Sequence, residues 1–462
     1  MARKPAPQAS PDTPTDTARR RLVGGSIGTL VEWFDFLVYS LSTPVLARLF
    51  FPEVDPVASL LATLAVFGVA FFMRPLGGVL FGYLGDRWGR IRVLSITILI
   101  MGGATSLIGL LPTYAGVGVA APVLLVVCRM LQGLSAGGEH SGALTYVLES
   151  APDGRRGRWI GVVFAWSFLP NAIMGGIVLG LRGIFGEEAY QEWAWRLPFL
   201  LGGVLAGVGL WLRRRLSDPE LFVEAAAKRE QAAPRANPLK TVLTQSPGSV
   251  VRVVLMSAPQ LITAWMIIGF MYTYMVTIVG MEAGPALVSN AIAALTITLA
   301  TPFSGALADR IGRKPVMFVG LVWSIVSSYP AMVLVGRGTF TQALMGQLLL
   351  GMGVILFCPG SLVTMLELFR TSVRYSGHAL SYAAGAAIFG GTSPLLAGVL
   401  VTRIGPTAPA FYIIAAAVLG LAVVSLTPET ARIQLRDKEA EHSSASETPQ
   451  DLAVAPAREE RH

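Results

Sequence analysis

Apolar blocks of about 20 residues, the length that crosses roughly 30 Å of hydrocarbon, recur from one end of this chain to the other. Twelve can be marked, labelled α1 to α12 in chain order: 22–47, 58–84, 93–112, 120–149, 159–183, 195–213, 252–279, 285–307, 315–335, 341–367, 375–401 and 408–428. A soluble fold could hardly hide that much apolar surface, since 53% of the 462 residues are hydrophobic, 14% are charged and the mean hydropathy is +0.60. The chain therefore reads as an all-α integral membrane protein with twelve transmembrane helices. α1 is too long for the apolar region of a cleaved signal peptide and carries acids, so it is expected to stay. Cys128 and Cys358 fall far apart, inside α4 and α10, and are read as packing residues.

The net charge of +8 could suggest nucleic acid, but its placement gives another meaning. Basic residues gather in alternate connections: Arg19 to Arg21 before α1, Arg87, Arg90 and Arg92 after α2, and Arg155, Arg156 and Arg158 after α4. The series continues with Arg213 to Arg215 after α6, Arg310, Arg313 and Lys314 after α8, and Arg370 and Arg374 after α10. Opposite connections are poor in Lys and Arg, and the one between α5 and α6 carries Glu187, Glu188 and Glu192. By the positive-inside rule both termini are cytoplasmic, as in a multi-pass plasma-membrane protein, and no nucleic-acid partner is implied. Residues 1–21 read as a disordered cytoplasmic tail and 429–462 as a polar one. A cytoplasmic linker, 214–250, joins an N-terminal six-helix bundle, 22–213, to a C-terminal one, 251–428; Asp218 and Pro219 could start a short surface helix in it.

The bundles repeat each other. GYLGDRWGRIR at 82–92 and GALADRIGRKP at 305–315 share Gly-x-Leu-x-Asp-Arg-x-Gly-Arg, and the LES that ends α4 is echoed by LEL at the end of α10. Such repeats imply a pseudo-twofold axis along the membrane normal, a substrate site where the halves meet, and alternating access.

The doubled element resembles the cytoplasmic-loop signature of the major facilitator superfamily, and CRMLQGLSAGGE in α4 is similar to its Arg-x-x-Gln-Gly signature. More narrowly, VEWFDF, RPLGG with GDRWGR, IGLLPTY, RMLQGLSAGGE, WAWRLPFL and VRYSG resemble the metabolite:proton symporter family, in order, over about 22–430. That resemblance implies the major facilitator fold and proton-coupled symport of a small metabolite; the family includes transporters of proline and betaine, α-ketoglutarate, shikimate and citrate. FFPEVDP with RPLGG, and ITILIM in α3, resemble the proline/betaine branch most, although the extended coiled-coil tail of some of its members is not found.

The loop element has its own physical logic. Gly82, Gly85 and Gly89 let helix ends approach closely, while Asp86 can accept from a neighbouring helix N-terminus and pair with Arg87 or Arg90. Glu149 and Arg155 join them, and the second copy offers Asp309, Arg310, Gly312, Arg313, Glu367 and Arg374. Together they make a candidate cytoplasmic gate, against the plainer reading that these charges only orient the chain.

Charges in mid-membrane cost about 2.5 to 3.5 kcal/mol on insertion scales and usually face a cavity or a partner. Glu32 and Asp35 lie roughly 15 to 20 Å into α1 and share a face with Tyr39. In α4, Arg129, Gln132 and Glu139 form one stripe. Depth pairs Asp35 with Arg129 and Arg74 with Glu139, either as static salt bridges or as a switch. A paired acid stays ionised, whereas an unpaired buried one can load and release a proton, so Glu32, Asp35 and Glu139 are the candidate proton carriers. Arg129 and Arg74 would hold a carboxylate, with Trp33, Tyr39, Gln132, His140, Trp166, Trp265 and Tyr272 shaping the chamber. Trp or Tyr faces can take a quaternary ammonium. His140 stands where the family often has Trp or Tyr; it is weighed as a packing residue against a proton relay, as is His378. Gly133, Gly137, Gly138 and Gly142 read as helix packing.

A zwitterionic osmolyte or amino-acid-like solute is the favoured cargo and a mono- or dicarboxylate the alternative. The competing class is a non-transporting membrane receptor on the same scaffold. No nucleophile–base set, cofactor motif or metal-ligand spacing is visible, which argues against an enzyme. Protons, the small-molecule substrate and lipid are the expected partners of a monomer.

Overall fold

The computed structural model describes residues 14–52, 55–88, 90–137, 139–214, 238–371, 373–431 and 433. Each expected apolar block is helical: α1 Pro14–Phe50, α2 Pro56–Trp88, α3 Arg90–Leu110, α5 Arg156–Phe185, α6 Arg196–Arg214, α8 Ala283–Ile311, α9 Arg313–Val335, α10 Phe340–Glu367 and α12 Pro409–Ser425. α4 runs as Ala120–Ser135 and Glu139–Ser150. Among the described residues eight spans are long and apolar enough to cross a membrane, and shorter apolar stretches, Ser95–Leu110, Arg196–Val208 and Pro409–Ser425, occupy α3, α6 and α12.

Local chemistry sets the ends. Asp55 Oδ1 accepts from Val57 N at 2.9 Å and starts α2, and Pro opens α7 and α12. Gly312, at φ +107°, makes the turn from α8 to α9 in a region that side-chain-bearing residues avoid. α7 and α11 are interrupted: Pro247–Trp265 gives way to π-turns at Met266–Phe270 and Tyr274–Ile278, and Arg374–Gly385 to one at Ala386–Gly390 before Ser393–Arg403. A π-turn frees carbonyls from the i→i+4 ladder. Ser40 Oγ of α1 donates to two of them, Ile268 O and Gly269 O, each at 2.9 Å, and Asn290 Nδ2 to Ile267 O at 2.9 Å.

Packing follows the repeat. In the first half α1 lies on α5, α2 on α4 and α3 on α6; in the second, α7 lies on α11, α8 on α10 and α9 on α12. Between halves α5 meets α8 and α2 meets α11, again a related pair. Several of these contacts are backbone to backbone: a Cβ at Gly133 would stand 1.9 Å from Ala70 O, and one at Gly137 2.2 Å from Arg74 O. Glycine is what lets α4 approach α2 so closely.

Three expectations change. α1 begins at Pro14, inside the segment read as a tail. A helix, Pro238–Gln245, occupies the linker just before α7; the proposed start at Asp218 and Pro219 lies outside the described residues. Glu429 and Thr430 pack instead of trailing: Thr430 is 1% exposed, and Glu429 accepts from Arg313 N at 3.0 Å and Lys314 N at 2.9 Å, capping α9. Burial alone would raise the Glu429 carboxyl; backbone N–H donors, including those of Lys314, Ala431 and Arg313, outweigh it and hold the group below its ordinary value. That cap is therefore complete above the ordinary carboxylate range and is lost as pH falls through the depressed value.

Gly133→Leu is expected to lower the thermal midpoint of the purified protein sharply, by the equivalent of about 1–3 kcal/mol or more. Gly103→Ala, with nothing within 4 Å of its added carbon, should leave that midpoint unchanged.

Candidate functional site

The connections after α2, α4, α8 and α10 share one end of the bundle, the charged end. There Arg374 Nη1, at the start of α11, lies 2.7 Å from Glu149 Oε1 at the end of α4. Arg156 Nη1, at the start of α5, lies 3.4 Å from Glu367 Oε1 at the end of α10. The two pairs are one contact made twice with the halves exchanged. Asp309 accepts from Gly157 N at 2.8 Å and Arg158 N at 2.9 Å, sitting on the N-terminus of α5, and pairs with Arg313. Beneath it the Gly157 and Gly305 backbones touch: a Cβ on Gly305 would meet Gly157 O at 2.1 Å. Arg155 and Arg310 are exposed; the buried partners are Arg156 and Arg313. Sequence reasoning took the wrong member of the first cluster because adjacent arginines on a turn are told apart only by which one points between helices. The side chains of Asp86, Arg87, Arg90 and Glu139, and the surroundings of Gly82, Gly85 and Gly89, lie outside the described residues.

Above this gate the intramembrane charges separate into two groups. Glu32 and Asp35 are about 60° apart around α1, enough to reach different neighbours. Arg74 Nη2 stands 3.1 Å from Glu32 Oε1, and its guanidinium lies over Phe36 and Phe71 at 4.5 and 4.7 Å. Arg74, expected on Glu139, thus finds its acid on α1. Asp35 feels the charge of Arg129, yet among the described residues no ion pair joins the two; Thr105, which lies near Asp35, donates its hydroxyl to Met101 O at 2.9 Å. Arg129, fully buried, donates to Gln132 Oε1 at 3.0 Å and Phe67 O at 3.1 Å, and rests 4.3 Å over Tyr39. Gln132 Nε2 donates to Thr105 Oγ1 at 2.7 Å. In place of the expected direct pair, Arg129 is held through its Nη groups by Gln132 and the Phe67 carbonyl, with Thr105 beyond Gln132 on the side of Asp35.

At the seam between halves Trp33 stacks on Trp265 at 5.1 Å and 15°, and Phe36, Phe67 and Phe71 surround Trp265. His140 stands edge-on to Trp33 at 6.1 Å. Trp166 is half-buried and shares no ring contact with this group among the described residues. Tyr272 belongs to the far end, where its hydroxyl accepts from Arg182 Nη2 at 3.2 Å. Sequence reasoning missed Thr105, Ser40 and Tyr382. It also missed the chain in which Asn171 donates to Asn290 and Asn290 to Gln347, each at 2.8 Å, across α5, α8 and α10. Amides inside apolar spans were the available signal.

Two reciprocal bundles that part along a polar seam are the architecture of a major facilitator superfamily transporter, a carrier and not an enzyme. A family model described as sugar (and other) transporter matches residues 23–441. The chain is 33% identical over 426 residues to the proline/betaine transporter of Salmonella typhimurium, covering 90% of this chain and 85% of that one. It is 32% identical over 442 residues to the glycine betaine/proline/ectoine/pipecolic acid transporter of Dickeya dadantii, covering 94% and 88%. The partially occluded inward-open xylose transporter XylE of E. coli superposes with a TM-score of 0.71 at 17% identity, over 91% of this chain and 100% of that one. A double-tryptophan XylE mutant does so at 0.73 and 16%, over 92% and 99%. The chain belongs to the sugar (and other) transporter family.

Reversing one partner, in Glu149→Arg, is expected to open the charged end, lengthening spin-label distances between the halves there. Adding Arg374→Glu should bring them back toward the wild-type distribution; no recovery in the double variant would deny the pair its gating role.

Proposed function

We propose that the protein is a proton-coupled symporter of a zwitterionic osmolyte or amino-acid-like solute of the proline or betaine kind. It works by alternating access, as a monomer in the plasma membrane, with the charged end and both termini in the cytoplasm. The positive-inside pattern supports that orientation, and the names of the relatives support the solute class.

The Glu32–Arg74 pair beside the Trp33–Trp265 stack carries the reading. A zwitterion brings both charges needed to split that pair: its carboxylate goes to Arg74, held by two parallel N–H groups, and its cationic nitrogen to Glu32 and the indole faces. The exchange is neutral for neutral, so no buried charge is left unpaired. A dicarboxylate would satisfy Arg74 and leave surplus negative charge beside Glu32 and Asp35. Asp35, which forms no ion pair among the described residues, is the acid we assign to the coupled proton, since Glu32 is already engaged by Arg74. Thr105 lies near it, with Gln132 and Arg129 beyond.

Uptake of labelled glycine betaine, proline, α-ketoglutarate, citrate and shikimate into proteoliposomes, with and without an imposed pH gradient, tests this. Betaine and proline should accumulate and an uncoupler should abolish the accumulation; uptake of the carboxylates alone would overturn the solute class, and binding without flux would indicate a receptor. Glu32→Gln should reduce betaine uptake by about tenfold or more, a change of about 1.4 kcal/mol, and Asp35→Asn should abolish concentrative uptake.

A further inference from the structure

Between the Trp33–Trp265 stack and the charged-end ion pairs, two histidines from opposite halves share one tyrosine ring. His140 of α4 stacks on Tyr382 of α11 at 5.3 Å and 28°, and His378, one turn before Tyr382, stacks on it at 5.3 Å and 13°. His378 Nδ1 lies 3.1 Å from Ser141 Oγ across the seam, and Gln260 Nε2 donates to the Tyr382 hydroxyl at 3.2 Å. The three rings are 6%, 0% and 5% exposed for His140, His378 and Tyr382. Both ring nitrogens of His140 and Nε2 of His378 have no hydrogen-bond partner among the described residues. Buried polar atoms are nearly always satisfied, and exceptions call for a reason.

Among the described residues the ionisable groups around the trio are few. Arg74 of α2 and His378 act electrostatically on His140; Arg74, Glu32 of α1 and Cys358 of α10 act on Tyr382. Among the described residues no acid pairs with either imidazole. His378 is one turn inside Arg374, the gate residue of α11. A proton leaving the chamber for the charged end thus meets imidazoles with vacant nitrogens and then the gate.

We propose that His140 and His378 relay the coupled proton from the chamber toward the charged end, and that charging them parts the stack that seals the halves there. The step transfers one proton to a ring-nitrogen lone pair and then to water, breaking and making only O–H and N–H bonds. Neutral rings carry no mutual charge repulsion, whereas an imidazolium at His140 is repelled by Arg74, and by His378 once that ring is charged as well. Proton exit and opening of the charged end then become one event. The relay rests on the symport reading.

His140→Phe and His378→Phe keep a ring and remove the nitrogens. In proteoliposomes the ratio of proton-driven accumulation to exchange of labelled glycine betaine should fall about tenfold or more in each variant. Its dependence on pH at the charged-end side should flatten as well. Variants that keep the wild-type ratio and pH profile overturn the relay while leaving symport intact; a wild-type protein without proton-driven uptake overturns the symport reading instead. Equal loss of exchange and accumulation also overturns the relay, because it assigns the rings to structure or solute binding. If neither variant folds, diethyl pyrocarbonate labelling of the wild-type protein, mapped by mass spectrometry, supplies the test. Labelling of His140 and His378 should rise about fivefold or more during proton-driven turnover, and unchanged labelling overturns the proposal.

Discussion

At the charged end the two halves are joined by a charge contact made twice, Arg374 on Glu149 and Arg156 on Glu367. Arg374 is fully buried while the Glu149 side chain is 40% exposed, so parting the halves without water would strand a guanidinium at a loss of free energy. With water admitted, the loss shrinks, because both partners become hydrated. The contact between the Gly157 and Gly305 backbones adds a steric condition: the helices either touch or separate, and a partly closed gate gains neither the ion pairs nor hydration. The charged end therefore has two favourable arrangements, closed on its ion pairs or open with its charges hydrated.

The chamber obeys a related rule. Charges at mid-membrane have no water to fall back on, and each is placed on a partner, a carbonyl or an aromatic face. Glu32 and Arg74 satisfy each other, and a solute with the same two charges can take their places without a net electrostatic loss. Arg129 rests on Gln132, Phe67 O and the ring of Tyr39, and no ion pair joins it to Asp35 among the described residues. The first π-turn of α7 serves the same economy, since its free carbonyls accept from Ser40 and Asn290 in neutral contacts.

Much of this was legible in the residues. Apolar length located the spans, the doubled Gly-x-Leu-x-Asp-Arg-x-Gly-Arg gave the two halves, and the glycines of α4 announced its close approach to α2. Glu32, Asp35, Arg74 and Arg129 stood out because charge is rare in a span. Their partners did not. Depth along a helix can be counted at about 1.5 Å per residue, but rotation and the identity of the facing helix are set by packing, so the contact of Arg74 with Glu32 was not foreseen. Arg156 and Arg155 are neighbours in the chain with opposite burial. Thr105, Tyr382 and Ser40 carry no charge and gave no signal of their own.

The sequence by itself determined the solvent, the number of spans, the duplication and the short list of buried ionisable groups, because these follow from hydrophobicity and repetition along one dimension. Only the tertiary structure decided that Arg74 meets Glu32, that Arg129 rests on Gln132 and Phe67 O, and that two histidines from opposite halves meet on Tyr382. Most of those contacts join residues that lie in different helices, and their energies depend on distances of a few ångströms that no spacing along the chain encodes.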